Sequence, residues 1–554
     1  MYVAAEGGEM DAFIEAFSAG VDAVDSFVWG WAMIVLLLGT HIVMTVRTGF
    51  IQRKIGTAIK LSISKQDSGA QGDVSQFGAL TAALAATIGT GNIVGVATGL
   101  FAGGPGAIFW MWIIGVFGIA TKYAETYISV KYRVKDANGE MLGGAMYALE
   151  RGFKNKQAGK ILAILFAVFA FVASFGIGAS VQSNALTGVV TAYIPGLEDP
   201  AVLLGTNSMI GVILVILVGI VIIGGIKGVT RVTEKLVPVM AVLYTAGCLV
   251  IIFMNWAYVG EAIGLILTCA FTGQAAFGGA VGSGVALALQ FGFKRGLFSN
   301  ESGLGSAPLV AANATTKNPA RQALVSMSGT FWDTVIICAI TGIMLVSTML
   351  ANPSIEAMLL AGQVSEWAKT SGIELATTDP SAVVTDWTAA STEAAQMWAD
   401  LPADMQDLMT SQIGQGNFIT AAAQLTTSAF ATIPVLGPVV LAVGMILFSY
   451  STMLGWSTYG NRAVMYLFGK KGIKPYQVVF LIFVFWGCLG GGELVWNISD
   501  ITNALMAIPN CIAVLVLGGV IAAETKHYVY GKNLDEVDDT PIPTVDTVDL
   551  PSSK

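Results

Sequence analysis

Residues 88–92, Ile-Gly-Thr-Gly-Asn, lie in the middle of an apolar segment (76–101) about one membrane thickness long. Two glycines lower the cost of unwinding a helix there, and Thr90 and Asn92 add side-chain oxygens. An unwound turn leaves carbonyls free at the end of one half-helix and N–H groups free at the start of the next. Carbonyls suit a small cation, and N–H groups at a helix N-terminus suit a carboxylate. The same glycines would also let two helices approach closely, and this stretch alone does not separate the two readings.

A second apolar segment, 262–291, is interrupted by Gly273, Gly278, Gly279, Gly282 and Gly284. Elsewhere, Ser451 and Thr452 place adjacent hydroxyls near the end of an apolar run, although hydroxyls on membrane helices commonly bond back to their own carbonyls. Charged residues inside the apolar segments are few. Lys122 and Glu125, three apart, can pair on one helix face, which favours a structural ion pair over a proton relay. Asp333 has no evident basic partner, and either a functional acid or one held by neighbouring hydroxyls fits the pattern.

These groups require apolar helices to position them. Of the 554 residues 55% are apolar and 12% charged, about half the charge of a soluble domain, with a mean hydropathy of +0.71. Eleven long apolar segments stand out, near 28–46, 76–101, 105–131, 160–185, 207–226, 235–256, 262–291, 322–350, 431–454, 475–491 and 498–523. Lys and Arg concentrate in 47–65, 131–160, 227–235, 294–321 and 462–474, which hold 23 of the 28, and each cluster follows an odd-numbered span. The alternate loops carry only Lys369. The positive-inside rule then puts the N-terminus outside and the C-terminus in the cytoplasm of a multi-pass protein of the cell membrane.

Spans 2 and 7, both interrupted, are five spans apart and run in opposite directions. That is the sequence pattern of an inverted-repeat transporter. The expected fold is an all-α membrane protein of about eleven transmembrane helices with an inverted five-plus-five repeat. Repeats would cover 76–256 and 262–523, with 28–46 peripheral and 351–418 an external acidic insertion holding nine acids and one lysine. Residues 1–27, with six acids and no Lys or Arg, form an external segment, and Phe13, Phe17, Val21 and Val24 suit an amphipathic helix over 10–26. The tail 524–554 reads as acidic and cytoplasmic, and from Lys532 onward as solvated and disordered.

Other chemistries lack residues. The five cysteines follow no metal or CxxC spacing and read as core residues, and His41 and His527 have no partner at ligand spacing. No phosphate-binding GxxxxGK[ST] loop exists, so ATP is not expected as the energy source. Nothing points to nucleic acid or to a nucleophile–base pair, and an enzyme is not expected. Transport would draw on an ion gradient. A proton carried by Asp333 is an alternative to sodium, and a channel a more remote one.

The run GALTAALAATIGTGNIVGVATGLFAGGPGAIFWMWIIGVFGIATKYAETYISVKYR and the run RGLFSNESGLGSAPLVAANATTKNPARQALVSMSGTFWDT at 295–334 closely resemble the sodium:alanine/glycine symporters. The resemblance extends from about 28 to 525. It implies import of alanine or glycine with co-transported sodium. By analogy with related five-plus-five transporters, the backbone at Gly89, Thr90 and Gly91 would hold the substrate carboxylate, with Asn92 at the cation or substrate. Gln182, Phe271, Thr272, Gln274 and Trp456 would line the pocket. The carbonyls of Ala85 and Ile88, with the hydroxyls of Ser451 and Thr452, would bind sodium. Trp456 lies one helical turn beyond Thr452, so both can face one centre.

Overall fold

The computed structural model describes residues 17, 20, 21, 23–25, 27–64, 70–192, 194, 200–272, 285–352, 355, 418–490 and 493–545. The insertion 356–417, the glycine-rich stretch 273–284 and most of 10–26 lie outside them, and with them the expectations for those stretches. Within the described residues the regular structure is helical apart from a short hairpin, Val134–Lys135 paired with Met141–Leu142, and isolated bridges such as Gln71 with Thr316. Seven helices are long and apolar enough to cross a membrane, or up to nine when each of two bent pairs counts as one span.

Helix α8 (Pro200–Ile223) shows why the surroundings must be lipid. It buries Ile210, Leu214, Val218 and Ile222, one stripe at four-residue spacing, yet exposes Val212, Ile216 and Ile220 on its other faces. A helix apolar on every side, with half its surface uncovered, is stable only where the solvent is hydrocarbon. All five cysteines are free and buried, as small core residues should be.

The remaining elements, in chain order, are α1 (Trp31–Arg47), α2 (Ile55–Ser62), α3 (Gln76–Thr87), α4 (Gly91–Gly103), α5 (Gly106–Lys131), α6 (Ala145–Gly152) and α7 (Lys156–Thr191) before α8. After it come α9 (Gly225–Met254), α10 (Trp256–Thr272), α11 (Val285–Asn300), α12 (Pro308–Ala311), α13 (Pro319–Ala351) and α14 (Phe418–Ala431). The chain closes with α15 (Leu436–Phe468), α16 (Ile473–Cys488), α17 (Glu493–Val516) and α18 (Gly518–Thr525). Helices α3 and α4 form one of the bent pairs, with 53° between them. The other pair bends by 65° after α1.

Span 7 differs from the hydropathy reading. Its first part, α10, has 17 residues and ends beside the start of α5, where Cys269 abuts Gly106. The next helix, α11, lies antiparallel along α4: Leu287 and Phe291 meet Gly103, and Phe298 and Ser299 meet Gly91. At Glu301 α11 gives way to a turn in the left-handed region at Glu301 (φ 54°), Gly303 (φ 93°) and Gly305 (φ 78°). After the short α12, Thr315 and Thr316 bond back to Val74 and Gln71, just ahead of α3. Glu301, the first residue of this turn, lines the same cavity as Gly89, while the expected interruption at 273–284 lies outside the described residues. Polar residues at 299–306 look like a solvated loop in a hydropathy scan, but here protein partners bury them.

The segment 294–321 is likewise not one charged loop. Lys294 pairs with Asp25 (2.9 Å) and Asp500 (3.3 Å) ahead of α1 and within α17, whereas Lys317 and Arg321 meet the C-terminal segment. That segment is also ordered as far as Thr544 and Val545, contrary to the expected disorder. Val545 N–H donates to the Lys135 carbonyl (2.8 Å), and Asp538 N–H donates to that of Lys317 (2.8 Å). Asn318 Nδ2 donates to the carbonyls of Leu534 (2.9 Å) and Glu536 (2.8 Å). The backbone pairing supplies what the acidic composition cannot.

Candidate functional site

Helix α3 begins at Ser75, whose hydroxyl accepts from Gly78 N–H (2.8 Å), and it ends at Ile88 in an extended conformation. The cause of the break is local. Gly89 N–H donates to Asn92 Oδ1 (3.0 Å), so an asparagine three residues ahead takes the donor that a continuing helix would point at Ala85. The Ala85 carbonyl accepts instead from Thr452 Oγ1 on α15 (3.1 Å). Gly89 is required by this approach, because a Cβ there would stand 2.5 Å from Thr452 Oγ1.

Around the break lies a narrow cavity lined by Ala86, Thr87, Gly89, Thr90, Gly91, Ile177, Gln182, Phe298, Glu301, Thr452, Trp456 and Asn503. It measures about 10 Å³ for the centre of a water-sized sphere, roughly one water. Gln182 on α7 reaches Thr90 Oγ1 at 3.4 Å and donates from Nε2 to the Ile177 carbonyl (3.1 Å). The Trp456 ring seats against Gly178, where a Cβ would fall 2.4 Å from that of Trp456. Trp456 Nε1 and Asn503 Oδ1 are buried without a hydrogen-bond partner among the described residues.

Of the residues expected at the site, Gly89, Thr90, Gly91, Gln182, Thr452 and Trp456 line this cavity. Ala85 meets Thr452 at its edge, and Ile88 is buried between. Ser451 is turned away: its hydroxyl donates to the Phe448 carbonyl (2.9 Å) and contacts Met240 sulfur (3.3 Å). Asn92 stands behind the break, where Nδ2 donates to Asp333 Oδ1 (2.8 Å) and Ser299 Oγ (3.1 Å). Its role there is to hold α4 to α11 and α13. Phe271 and Thr272 are exposed at the end of α10, the Phe271 ring against Phe109 and Trp110, away from the cavity. Gln274 lies outside the described residues.

Glu301, Phe298 and Asn503 line the cavity without having been singled out from the sequence. The only available signal for Glu301 was an acid set among glycines and serines in SNESGLGS. The turn that carries it is bound from beneath by the intramembrane ion pair. Lys122 Nζ lies 3.0 Å from Glu125 Oε1 and donates to the Glu301 carbonyl (3.1 Å). Glu125 Oε2 accepts from Gly303 N–H (3.0 Å), Gly305 N–H (3.2 Å) and Asn510 Nδ2 (2.9 Å). The pair is therefore structural. Asp333 is similarly saturated, accepting from Asn92 Nδ2, Ser299 Oγ (2.7 Å) and Thr334 Oγ1 (2.7 Å).

A sequence model of the sodium:alanine symporter family matches residues 14–395 and 406–540. The chain belongs to that family. The sodium/alanine symporter AgcS of Methanococcus maripaludis is 43% identical over 516 residues, covering 92% of this chain and 97% of that protein. A probable sodium/glutamine symporter of Bacillus subtilis, GlnT, is 32% identical over 518 residues, 92% of this chain and 91% of its own. As a member of the sodium:alanine symporter family, the protein is a multi-pass membrane transporter and not an enzyme.

Proposed function

We propose that the protein imports a small neutral amino acid, alanine or glycine, together with sodium across the cell membrane. The observation that carries this reading is that Gly89–Gly91, at one chain break, and Glu301, at the turn that ends α11, line one cavity. The N–H groups that open α4 receive the substrate carboxylate, aided by its helix dipole. Thr90 and Gln182 orient the substrate, and Trp456, Phe298 and Ile177 limit its side chain to a methyl or less. Sodium, a hard cation that prefers oxygen, takes the Ala85 carbonyl and Thr452 hydroxyl, with the Ile88 carbonyl and Ser451 completing the set. Completion requires Ser451 to leave its bond to Phe448.

Transport follows from alternating access, in which one helix bundle rocks against the other around this site. In this reading the repeats are the five spans of 76–256 and the five of 262–523. In this reading the end carrying Lys135, Lys317 and Arg321 faces the cytoplasm and the N-terminus lies outside. Coupling to protons through Asp333 has less support, since three donors hold its carboxylate. The test is uptake of labelled alanine into proteoliposomes under imposed gradients. Accumulation should follow an inward sodium gradient and stop in Thr452→Ala. Accumulation driven by a proton gradient alone would refute sodium coupling.

A further inference from the structure

The cavity contains one anionic side chain, Glu301, among the residues that line it. It is 3% exposed, and among the described residues its carboxylate receives a single hydrogen bond, from the hydroxyl of Ser306. Lys122, the nearby cation, donates to the Glu301 backbone carbonyl and pairs with Glu125, and among the described residues the Glu301 carboxylate forms no ion pair at bonding distance. A buried carboxylate served by one neutral donor is expensive. Its placement is also imposed: φ of 54° is unfavourable for a residue with a Cβ, and Lys122 and Glu125 hold the turn in that form.

We infer that Glu301 is the acceptor for the substrate's ammonium group, and so determines specificity for α-amino acids over simple carboxylic acids. This rests on the amino-acid transport reading above. The two chain breaks then divide a zwitterion between them. The positive end of α4 takes the carboxylate, and Glu301, on the opposite break, takes the amine. Thr90, Gln182 and the Trp456 ring occupy the space between. A carboxylate that gains a charged donor is satisfied by substrate and left costly without it, which ties occupancy of the site to the closed arrangement of the two breaks.

The test compares wild type, Glu301→Gln and Glu301→Asp, full-length in lipid nanodiscs, by competition of alanine and of propionate against labelled alanine. Propionate keeps the carboxylate and methyl but lacks the amine. Wild type should prefer alanine by at least about a hundredfold. Glu301→Gln should lose about tenfold to hundredfold in alanine affinity, the range of a charge-assisted bond, with propionate affinity and sodium-dependent thermal stabilisation unchanged. Glu301→Asp, which keeps the charge on a shorter stem, should fall between. An unaltered alanine-to-propionate ratio in Glu301→Gln would overturn the assignment, as would loss of the sodium response, which would make Glu301 a cation ligand. Wild-type propionate binding within threefold of alanine overturns it without any variant. Failure of wild type to bind alanine, glycine or serine in sodium would instead overturn the transport reading itself.

Discussion

Gly89→Ala tests the link between the helix break and sodium. The added Cβ would stand 2.5 Å from Thr452 Oγ1 and 3.6 Å from Thr452 Cβ, so the hydroxyl is the atom that must move. Rotating Thr452 about χ1 relieves the overlap, but it removes the hydroxyl from the Ala85 carbonyl, now 3.1 Å away. The lost bond costs about 1 kcal/mol, and overpacking adds on the order of 1 kcal/mol more. If that hydroxyl is a sodium ligand, apparent sodium affinity should fall about tenfold, equivalent to about 1.4 kcal/mol. The assay is sodium titration of thermal stability and of alanine uptake, in Gly89→Ala, Thr452→Ala and the double variant. Because both single changes remove the same oxygen, the double variant should lose no more sodium affinity than Thr452→Ala, a coupling of about 1.4 kcal/mol. Wild-type sodium affinity in Gly89→Ala, or simple additivity in the double variant, would refute the reasoning.

Other outcomes follow from the same geometry. Asn92→Ala removes the partner of Gly89 N–H and one donor to buried Asp333, so it should cost about 3 kcal/mol in stability; a melting temperature equal to wild type would contradict this. Glu125→Gln breaks the buried pair with Lys122 and loosens the turn at 301–305, with an expected loss of about 3 kcal/mol, which chemical denaturation in detergent would measure. In Trp456→Ala the wall beside Gly178 is lost, and uptake competition should show larger side chains accepted relative to glycine. Asn318→Ala should release the C-terminal segment, raising amide hydrogen exchange over 533–545, whereas Asp535→Ala, whose carboxylate is 83% exposed, should change it little.

Much of this protein was legible along the chain. Hydropathy alone requires a lipid-embedded bundle, since helices such as α8 have no polar face to offer water. The break at Gly89 was one of two readings its residues allowed, because two glycines and an asparagine can disrupt a helix through their own backbone freedom and side-chain bonding, interactions only three residues long. Trp456 follows Thr452 by one turn whatever the fold, and both line the cavity. Local physics settles such features.

What the chain could not announce depends on partners distant in sequence. SNESGLGS reads as solvated loop until Lys122, Glu125 and Asn510, between 178 and 207 positions away, satisfy its backbone from other helices. Glycine content marked 273–284, which lies outside the described residues, and gave no sign of the turn that brings Glu301 to the cavity beside Gly89. Asn92 looked like a ligand from its oxygen, and tertiary packing gave that oxygen to Gly89 and its amide to Asp333. The acidic tail, likewise, is ordered by backbone bonds to Lys135 and Lys317 that no local composition encodes. Burial of a polar group is decided by whether a partner arrives, and only the folded chain brings it.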